Sequence, residues 1–368
     1  MLPKRSLMGP GPSDVYPEVL AAMAMPTIGH LDPAFVDFMD ELNELLRYAF
    51  QTKNMVTLPI SAPGSAGMEC VFVNLLEPGD KVIIASNGVF GGRMLENARR
   101  CGANPVVVEF EWGTPVDPGK VEEVLKANPD AVALAFVHSE TSTGVRSDAK
   151  TLCQLAHDNG CLAIVDAVTS LGGIELRVDD WGIDAIYSGT QKCLSAPPGL
   201  SPVSFSDAAM EKVKARTTPV QSWFLDLNLL TSYWGPGAKR AYHHTAPINM
   251  LYALHAALSI LKNEGLENAW ERHAANYRKL RDGLNEMGLD FYVQEEYRLP
   301  QLNAVNVPEG VDEAGVRSFL LNEYDLEIGA GLGPLAGKIW RIGLMGASSS
   351  EKHIALCLDG LKAALAKG

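Results

Sequence analysis

The sequence lacks features that would direct it to a membrane, a structural metal or a nucleic acid. Its longest apolar runs, such as Ala131–Val137, fall far short of the roughly 18 residues that a membrane-spanning helix needs. The 6 cysteines include no Cys-x-x-Cys pair, so we expect neither a disulfide framework nor a metal site. Lysine and arginine number 31 against 44 acidic residues, and the net charge of −13 argues against binding to nucleic acid or anionic lipid.

Targeting signals are also lacking at the two ends of the sequence. Residues 1–10 contain no long apolar region of the kind found in signal peptides, and residues 364–368 carry no peroxisomal or retention address. Because the cysteines are scattered, they favour a reducing compartment. We therefore expect a cytoplasmic protein.

The chain has enough apolar residues for a large core. It contains 368 residues, of which 47% are hydrophobic, and this length predicts about two domains. Helical patterns, such as the apolar spacing of 35–49 and the segment Lys120–Ala127, alternate with continuous apolar runs. This alternation predicts an α/β fold with a mostly parallel sheet covered by helices. The predicted strands are Lys81–Ala85, Pro105–Phe110, Ala131–Val137, Leu162–Val165, Ala185–Tyr187 and Pro202–Phe205.

The pattern changes beyond about Asn249. A long helical stretch runs to Gly265, and a second, more charged one runs from Leu266 to Gly288. These features predict a large domain of residues 14–264 and a smaller α+β domain of residues 265–368, joined by residues 1–13. The further elements predicted for the small domain are the strands Leu289–Val293, Ala304–Val307 and Lys338–Ile342 and the helices Val311–Glu323 and Ser350–Lys367.

A lysine and an aspartate follow two of the predicted buried strands. Lys192 comes after Ala185–Tyr187 and a polar turn, and Asp166 directly follows Leu162–Val165. Because α/β sheets bind ligands at the carboxyl ends of their strands, both residues are expected at one edge of the sheet. A buried lysine has a lowered pKa and can attack an aldehyde, whereas a buried carboxylate needs a partner such as a protonated pyridine nitrogen. The alternative interpretations are a surface-loop lysine and a helix N-cap aspartate.

A small-residue loop and an arginine complete the candidate site. The segment Ser61–Glu69 precedes a helical stretch, and its amides could bind a phosphate, although it lacks the Gly-Lys-Ser/Thr of a Walker loop. Arg341, on a predicted strand, could bind a carboxylate through its planar guanidinium. A plain turn and a surface salt bridge are the alternatives. Together the four features are those that pyridoxal phosphate enzymes need.

Motifs spread over nearly the whole chain are specific in combination. They are Leu7-Met-Gly-Pro-Gly-Pro-Ser13, Gly29-His-Leu-Asp-Pro33, Leu76-Glu-Pro-Gly-Asp80, Asn87-Gly-Val-Phe-Gly-Gly-Arg93, His138-Ser-Glu-Thr-Ser-Thr-Gly144, Tyr187-Ser-Gly-Thr-Gln-Lys192, Tyr242-His-His-Thr245 and Leu332-Gly-Pro334 with Arg341-Ile-Gly343. Through these motifs the chain closely resembles the class V aminotransferases of fold type I. Within that family it is most similar to the alanine–glyoxylate/serine–pyruvate aminotransferase group.

The resemblance implies pyridoxal 5′-phosphate as the cofactor and a role for each matching residue. Lys192 would hold the cofactor as an aldimine and carry the proton between substrate and cofactor, while Asp166 would keep the pyridine nitrogen protonated. Phe90 would stack on the ring, and Arg341 would bind the substrate α-carboxylate near Gly9. The other implied contacts are Thr141 with the ring hydroxyl region, Gln191 with the phosphate, and Tyr242 and Thr245 with the phosphate in the partner subunit's site, which implies a homodimer.

One loop departs from the family pattern. Pro63, Gly64 and Ser65 stand where many relatives have Ser-Gly-Thr or Ser-Gly-His, and proline offers neither a hydroxyl nor an amide hydrogen. The phosphate is therefore expected on the amides of Gly64, Ser65 and Ala66 and on the Ser65 hydroxyl. Because lysine moves the proton in this chemistry, structural roles are expected for His30, His243 and His244.

By resemblance, the expected reaction is ping-pong transamination. Alanine or serine would donate the amino group, and glyoxylate or pyruvate would accept it. The alternatives within class V are pyridoxamine–pyruvate, serine–glyoxylate and aminoethylphosphonate–pyruvate transamination. Cysteine desulfuration is disfavoured, since Cys193 and Cys357 are poor candidates for the reactive cysteine of a mobile loop. The intact Lys192, Asp166 and Arg341 weigh against a non-catalytic assembly module.

Overall fold

The computed structural model describes residues 3–235 and 240–367. Residues 1–2, 236–239 and 368, which belong to the predicted domains and the segment that joins them, lie outside the described residues. The strands are β1 (Ser6–Leu7), β2 (Val56–Ile60), β3 (Lys81–Ser86), β4 (Asn104–Glu109), β5 (Ala131–Val137), β6 (Ser139–Glu140), β7 (Val145–Arg146), β8 (Leu162–Asp166), β9 (Ala185–Tyr187), β10 (Ser201–Phe205), β11 (Leu302–Asn306), β12 (Leu326–Glu327), β13 (Gly329–Ala330) and β14 (Ile339–Gly343). The helices are α1 (Pro17–Met23), α2 (Pro33–Phe50), α3 (Gly64–Leu75), α4 (Val89–Arg100), α5 (Pro118–Ala127), α6 (Ala149–Asp158), α7 (Val178–Trp181), α8 (Asp207–Lys214), α9 (Leu227–Trp234), α10 (Ile248–Glu264), α11 (Leu266–Glu286), α12 (Glu313–Glu323) and α13 (Glu351–Leu365).

A seven-stranded sheet forms the centre of the fold, in the order β2-β10-β9-β8-β5-β3-β4. The pairs from β9 to β4 are parallel, whereas β10 is antiparallel to both β9 and β2. β10 reverses direction because a loop, rather than a crossover helix, connects it to β9. The predicted α/β class with a mostly parallel sheet is confirmed.

The sheet lies between helices, and its strands are buried as their continuous apolar sequences predict. The side chains of β5 are almost completely buried, and α2 turns an apolar stripe that includes Phe35, Met39 and Leu42 into the same core. α2 begins where Asp32 accepts a hydrogen bond from the amide of Ala34 at 2.9 Å, with proline in the first turn. Local sequence signals and burial therefore agree on where this helix lies.

A second hydrophobic cluster contains the C-terminal elements. β11, β14 and β13 form an antiparallel sheet, and β1 from the N-terminus pairs in parallel with β12. α11 contributes Leu266 to the first cluster and Leu280 to the second. The division into domains of residues 14–264 and 265–368 stays a prediction.

The predicted strand Leu289–Val293 is wrong. The segment lies beside β11, but only Phe291 and Val305 form a bridge there, and the flanking bonds are from Tyr292 to Ala304 and from Asn306 to Asp290. The chain then turns into a short 3₁₀ segment at Glu295–Tyr297, which ends the pairing before a ladder can form.

The helices and cysteines carry two further features. In the described ranges, no helix combines the length and the apolar composition needed to cross a bilayer. All the cysteines are buried free thiols: Cys70, Cys101, Cys153, Cys161, Cys193 and Cys357.

Candidate active site

The carboxyl ends of β5, β8 and β9 meet at one edge of the sheet. Asp166 is the last residue of β8, with Val137 of β5 on one side and Tyr187 of β9 on the other. Lys192 follows in the loop from β9 to β10. Parallel pairing thus places these two side chains at the same edge.

The amine of Lys192 lies in a buried site closed by the N-terminal segment. Its Nζ donates a hydrogen bond to the carbonyl oxygen of Pro10, and the Ser13 hydroxyl donates to the Lys192 carbonyl at 2.8 Å. Gly11 has φ +111°, and a Cβ there would overlap the lysine side chain, so this approach requires glycine. Burial, assisted by the positive charge of Arg341, lowers the pKa of Lys192 to about 8. A neutral, nucleophilic amine is therefore accessible near neutral pH.

Asp166 is a buried carboxylate with one oxygen available. Its Oδ1 accepts from the amide of Val168 at 2.9 Å, while Oδ2 has no hydrogen-bond partner among residues 3–235 and 240–367. Burial raises the pKa of Asp166 to about 7 and the negative charge of Glu140 acts in the same direction, whereas the Val168 amide, the nearby Tyr187 hydroxyl and the charge of Lys192 oppose the rise. A buried oxygen without a partner is costly, and a protonated pyridine nitrogen would supply both a hydrogen and a positive charge. In this respect the site fits pyridoxal phosphate.

The predicted phosphate loop lies against the same edge. α3 begins at Gly64, directly after Pro63. A Cβ on Gly64 would come within 3.4 Å of the Ser188 carbonyl oxygen and 3.6 Å of Val168 Cγ2, so the start of this helix is close to the loops that follow β8 and β9. A helix N-terminus in this place can offer amides to an anion.

Two of the three predicted phosphate-binding amides have no partner within the part of the chain that the structure describes. The Ala66 amide donates to the Pro63 carbonyl oxygen at 2.7 Å, whereas the amides of Gly64 and Ser65 donate to no acceptor in the described ranges. The side chain of Gln191 has an unpartnered buried Oε1, which lies close to Gly189. The amides of Gly64 and Ser65 are therefore available to a ligand, whereas that of Ala66 is not.

Phe90 and Thr141 lie on two segments beside this edge. Phe90 is in the first turn of α4, and the Arg93 guanidinium is 4.8 Å from the centroid of its ring. Thr141 follows β6, and its hydroxyl is 2.6 Å from that of Thr169. Thr141 therefore lies next to the loop that follows β8, while the Phe90 amide donates to Glu140, the residue before Thr141.

Arg341 reaches the site from β14. Its Nε donates to the Ala330 carbonyl at 2.7 Å and its Nη1 to the Thr141 carbonyl at 3.1 Å, while within the described ranges no group accepts from Nη2. Burial lowers the pKa of Arg341 to about 10, and Glu140 opposes this shift. The guanidinium is thus held rigidly, with one nitrogen left for a ligand.

Gly9 lies near the strand that carries the arginine. Arg341 pairs with Gly329 of β13, and a Cβ on Gly9 would be 3.7 Å from the Gly329 nitrogen. The N-terminal segment and the small sheet therefore approach the site together.

Tyr242 and Thr245 face outward from this chain. Tyr242 is 64% exposed, and its ring centroid lies 5.1 Å from that of His30. The loop that contains Tyr242 and Thr245 also contacts the predicted phosphate loop, Ser61–Glu69: His244 Nε2 is 2.7 Å from the Ser61 hydroxyl. Thr245 is exposed as well, and among the described residues neither side chain hydrogen-bonds to Lys192, Asp166 or Arg341.

Sequence reasoning missed three contributors to the site. These are the Pro10 carbonyl and the Ser13 hydroxyl, which hold the lysine segment, and the fully buried carboxylate of Glu140. Each lies in a motif of the sequence, but only the tertiary fold shows what it touches.

The chain is similar to known aminotransferases over almost its whole length. The model of the aminotransferase class-V family matches residues 13–341. The rat alanine–glyoxylate aminotransferase is 41% identical, covering 99% of this chain and 88% of its own length. The (S)-ureidoglycine–glyoxylate transaminase of Bacillus subtilis is 40% identical, with coverages of 99% and 91%. A crystal structure of alanine–glyoxylate aminotransferase from Nostoc sp. superposes with a TM-score of 0.97 at 45% identity, covering 99% of this chain and 96% of that one.

Proposed function

Since this chain belongs to the class V aminotransferases, which depend on pyridoxal phosphate, we propose that it moves the amino group of alanine or serine to glyoxylate or pyruvate. The observation that supports this most directly is the meeting of three groups at one sheet edge. They are the buried amine of Lys192, the unpartnered oxygen of Asp166 and the held guanidinium of Arg341. Each of the three can bind a different group: Lys192 the aldehyde carbon of the cofactor, Asp166 its ring nitrogen, and Arg341 the carboxylate of the amino acid.

Bound pyridoxal phosphate supplies an aldehyde carbon that accepts an amino group and a ring that withdraws electrons from it. Lys192 is the nucleophile in this proposal because its pKa is lowered to about 8. Lys192 would take the proton from the substrate's Cα and hold it for return at the cofactor carbon that carries the amino group. Asp166 would stabilise the protonated ring nitrogen through Oδ2, and the amides of Gly64 and Ser65 would donate to the phosphate.

Glyoxylate is the acceptor that we favour. Both curated relatives named above have glyoxylate in their names, whereas their amino donors differ. A small oxo acid presents little beyond its carboxylate, so Arg341 is its main polar contact in the proposal.

The test is an activity matrix with the purified protein. We expect a visible absorption band that bleaches when alanine is added without an acceptor, and the highest turnover with alanine and glyoxylate. Turnover with serine or pyruvate would rank the remaining pairs. Absence of turnover with all four pairs would contradict the proposed substrates. Turnover of free pyridoxamine with pyruvate by protein that retains no cofactor would favour the pyridoxamine–pyruvate alternative instead.

A second donor is favoured by one comparison. The Bacillus subtilis transaminase named for (S)-ureidoglycine is 40% identical over 99% of this chain, as close as the rat enzyme named for alanine. Adding (S)-ureidoglycine to the donor series separates the two proposals, because the preferred donor should give the larger kcat/KM.

Arg341→Lys is expected to raise KM for the amino donor roughly 10- to 100-fold, because lysine cannot reproduce a planar guanidinium that is held by the carbonyls of Ala330 and Thr141 while it offers Nη2 to the carboxylate. kcat should change less, since the groups that move the proton are untouched. Steady-state kinetics with alanine varied at saturating glyoxylate measures both constants.

The matched control for this variant is Arg278→Lys on α11, where the arginine pairs with Glu271 at the surface. This control should keep the wild-type KM. An unchanged donor KM in folded Arg341→Lys protein would show that the carboxylate binds elsewhere.

The proposed assembly is a homodimer in which Tyr242 and Thr245 contact the phosphate in the partner subunit's site. The outward position of both residues supports this proposal, as does the bond that ties their loop to Ser61. We place the protein in the cytoplasm, which suits its free, buried cysteines.

A further inference from the structure

Glu140 is a buried carboxylate beside the site that none of the roles above uses. It ends the short strand β6, and its exposed fraction is 0%. Glutamate is almost never fully buried unless its oxygens are paired. The groups that hydrogen-bond to Glu140 therefore indicate its role.

Both oxygens of Glu140 are saturated with hydrogen-bond donors. Oε2 accepts from the amides of Phe90 at 3.1 Å and Gly91 at 3.4 Å, which lie in the first turn of α4. Oε1 accepts from the Ser142 amide at 3.0 Å and from the Ser142 hydroxyl at 2.6 Å. The carboxylate thus joins the start of α4 to the loop that follows β6.

The donor pattern suits an ionised side chain. The Ser142 hydroxyl oxygen accepts from the Val89 amide at 3.0 Å, so its own hydrogen is available to Glu140. All four contacts bring hydrogens to the carboxylate, and an ionised carboxylate is purely an acceptor. Burial raises the pKa of Glu140, while the bonds from Ser142, Gly91 and Phe90 oppose the rise.

The backbone of α4 is fitted closely to this carboxylate. A Cβ on Gly88 would lie 2.5 Å from both Glu140 Cδ and the Ser142 hydroxyl oxygen. Only a glycine allows the chain to pass so near before the helix begins. Since Phe90 lies in the first turn, the position of its ring follows from this fit.

The charge of Glu140 also acts on the other site groups. It raises the pKa of Asp166 and supports the protonated form of Arg341, whose Nη1 is bonded to the carbonyl of the next residue, Thr141. Further charged or titratable groups around the site are Tyr187, Lys192 and Arg93.

We propose that Glu140 is a positioning residue of the aminotransferase site: it fixes the first turn of α4, and thereby the Phe90 ring, where that ring covers the cofactor. The inference rests on the proposed site. Glu140 does not touch the reacting atoms, because its effect on the site passes through the amides of Phe90 and Gly91.

Glu140→Gln tests this positioning. Glutamine keeps one acceptor oxygen, but its NH₂ group is a donor and cannot accept hydrogen bonds. The bonds either to α4 or to Ser142 are therefore lost. We expect roughly tenfold weaker binding of pyridoxal phosphate to the cofactor-free protein, the scale of one hydrogen bond to a charged group. The circular dichroism band of the bound cofactor should also fall, and kcat should decrease while KM for alanine stays within about twofold.

Two further variants keep the test decisive. Glu122→Gln, which loses only a surface pair with Lys126 on α5, should behave as wild type. Ser142→Ala removes one donor and should shift cofactor affinity in the same direction by a smaller factor. This variant decides the matter if Glu140→Gln does not fold.

Wild-type cofactor affinity and dichroism in the Glu140 and Ser142 variants would overturn the inference. Those readouts do not depend on which substrates are used. A wild-type protein that binds the cofactor but transfers no amino group would instead overturn the proposed function and leave the test of Glu140 intact.

Discussion

Lys192→Ala is expected to abolish transamination, with a loss of at least about 10⁴-fold in kcat. Positioned proton transfer alone contributes roughly 10²–10⁴-fold, and this side chain is also the proposed nucleophile. The fold should survive, because the substitution removes an amine whose burial already disfavours its charged form. Single-turnover assays with alanine give the rate, and circular dichroism in the far ultraviolet checks the fold.

The spectrum provides a second readout for this variant. Cofactor bound without its lysine link should lack the visible band of the wild-type protein and absorb like free pyridoxal phosphate. Lys126→Ala, at an exposed pair on α5, is the matched control and should keep both band and rate. If Lys192→Ala turned over alanine and glyoxylate at the wild-type rate, another base would have to carry the reaction.

Six of the seven strands of the central sheet could be located from sequence, whereas β2 and the order of the strands could not. Each strand predicted there, from Lys81–Ala85 to Pro202–Phe205, begins and ends within one residue of an observed strand. Continuous apolar runs are strong signals because both faces of such a strand are buried. The antiparallel direction of β10 could not be read in this way, since it depends on the path of a loop rather than on periodicity.

In the small sheet, prediction failed where long-range pairing decides the structure. Leu289–Val293 has the composition of a strand, yet its neighbour β11 pairs fully only with β14. β1 and β12 are two residues each and lie more than 300 positions apart in the chain, so no local pattern marks their pairing. Their pairing joins the N-terminal segment, which contacts Lys192 through Pro10 and Ser13, to the C-terminal elements.

For the site itself, residue types could be predicted more readily than contacts. A lysine and an aspartate that follow buried strands indicate an active site at the carboxyl edge of the sheet. The unpartnered Oδ2 of Asp166 and the four hydrogen bonds of Glu140 depend on tertiary packing and could not be predicted. The loop after β2 also shows how contacts depend on detail: the Ala66 amide donates to the Pro63 carbonyl, so the amides of Gly64 and Ser65 are those left for the proposed phosphate contact. A motif names candidate donors, and the backbone conformation determines which of them are available.

Attraction of anionic ligands has to be local in this protein. The chain carries a net charge of −13, while the proposed cofactor and the proposed oxo acids are anions and the proposed amino donors carry a carboxylate. Arg341 and Lys192 are buried, so their charges are poorly screened by water and act strongly at short range. The unpartnered amides at the start of α3 add partial positive charge at the phosphate position.

Asp166→Asn is expected to weaken cofactor binding by roughly a hundredfold to a few thousandfold. Removing one partner of a buried charge pair costs about 3–5 kcal/mol, and each tenfold in affinity corresponds to about 1.4 kcal/mol. Titration of the cofactor-free protein with pyridoxal phosphate measures the change, and Asp158→Asn at the exposed end of α6 is the control. Transamination should fall together with affinity even at saturating cofactor, because asparagine cannot hold the ring nitrogen protonated.

The same substitution should alter how the stability of the cofactor-free protein depends on pH. The folded-state pKa of Asp166 is about 7 against a reference value of 3.8, so the folded chain binds this proton more tightly than the unfolded chain. The contribution of this group to the free energy of unfolding is therefore fully present below about pH 4 and is lost as pH rises through 7. Asp166→Asn cannot lose a proton, so its stability relative to wild type should increase between pH 4 and 8 in urea unfolding. A constant difference across that range would mean that Asp166 is ionised in the folded, cofactor-free protein, and its unpartnered oxygen would then need a cation that remains bound.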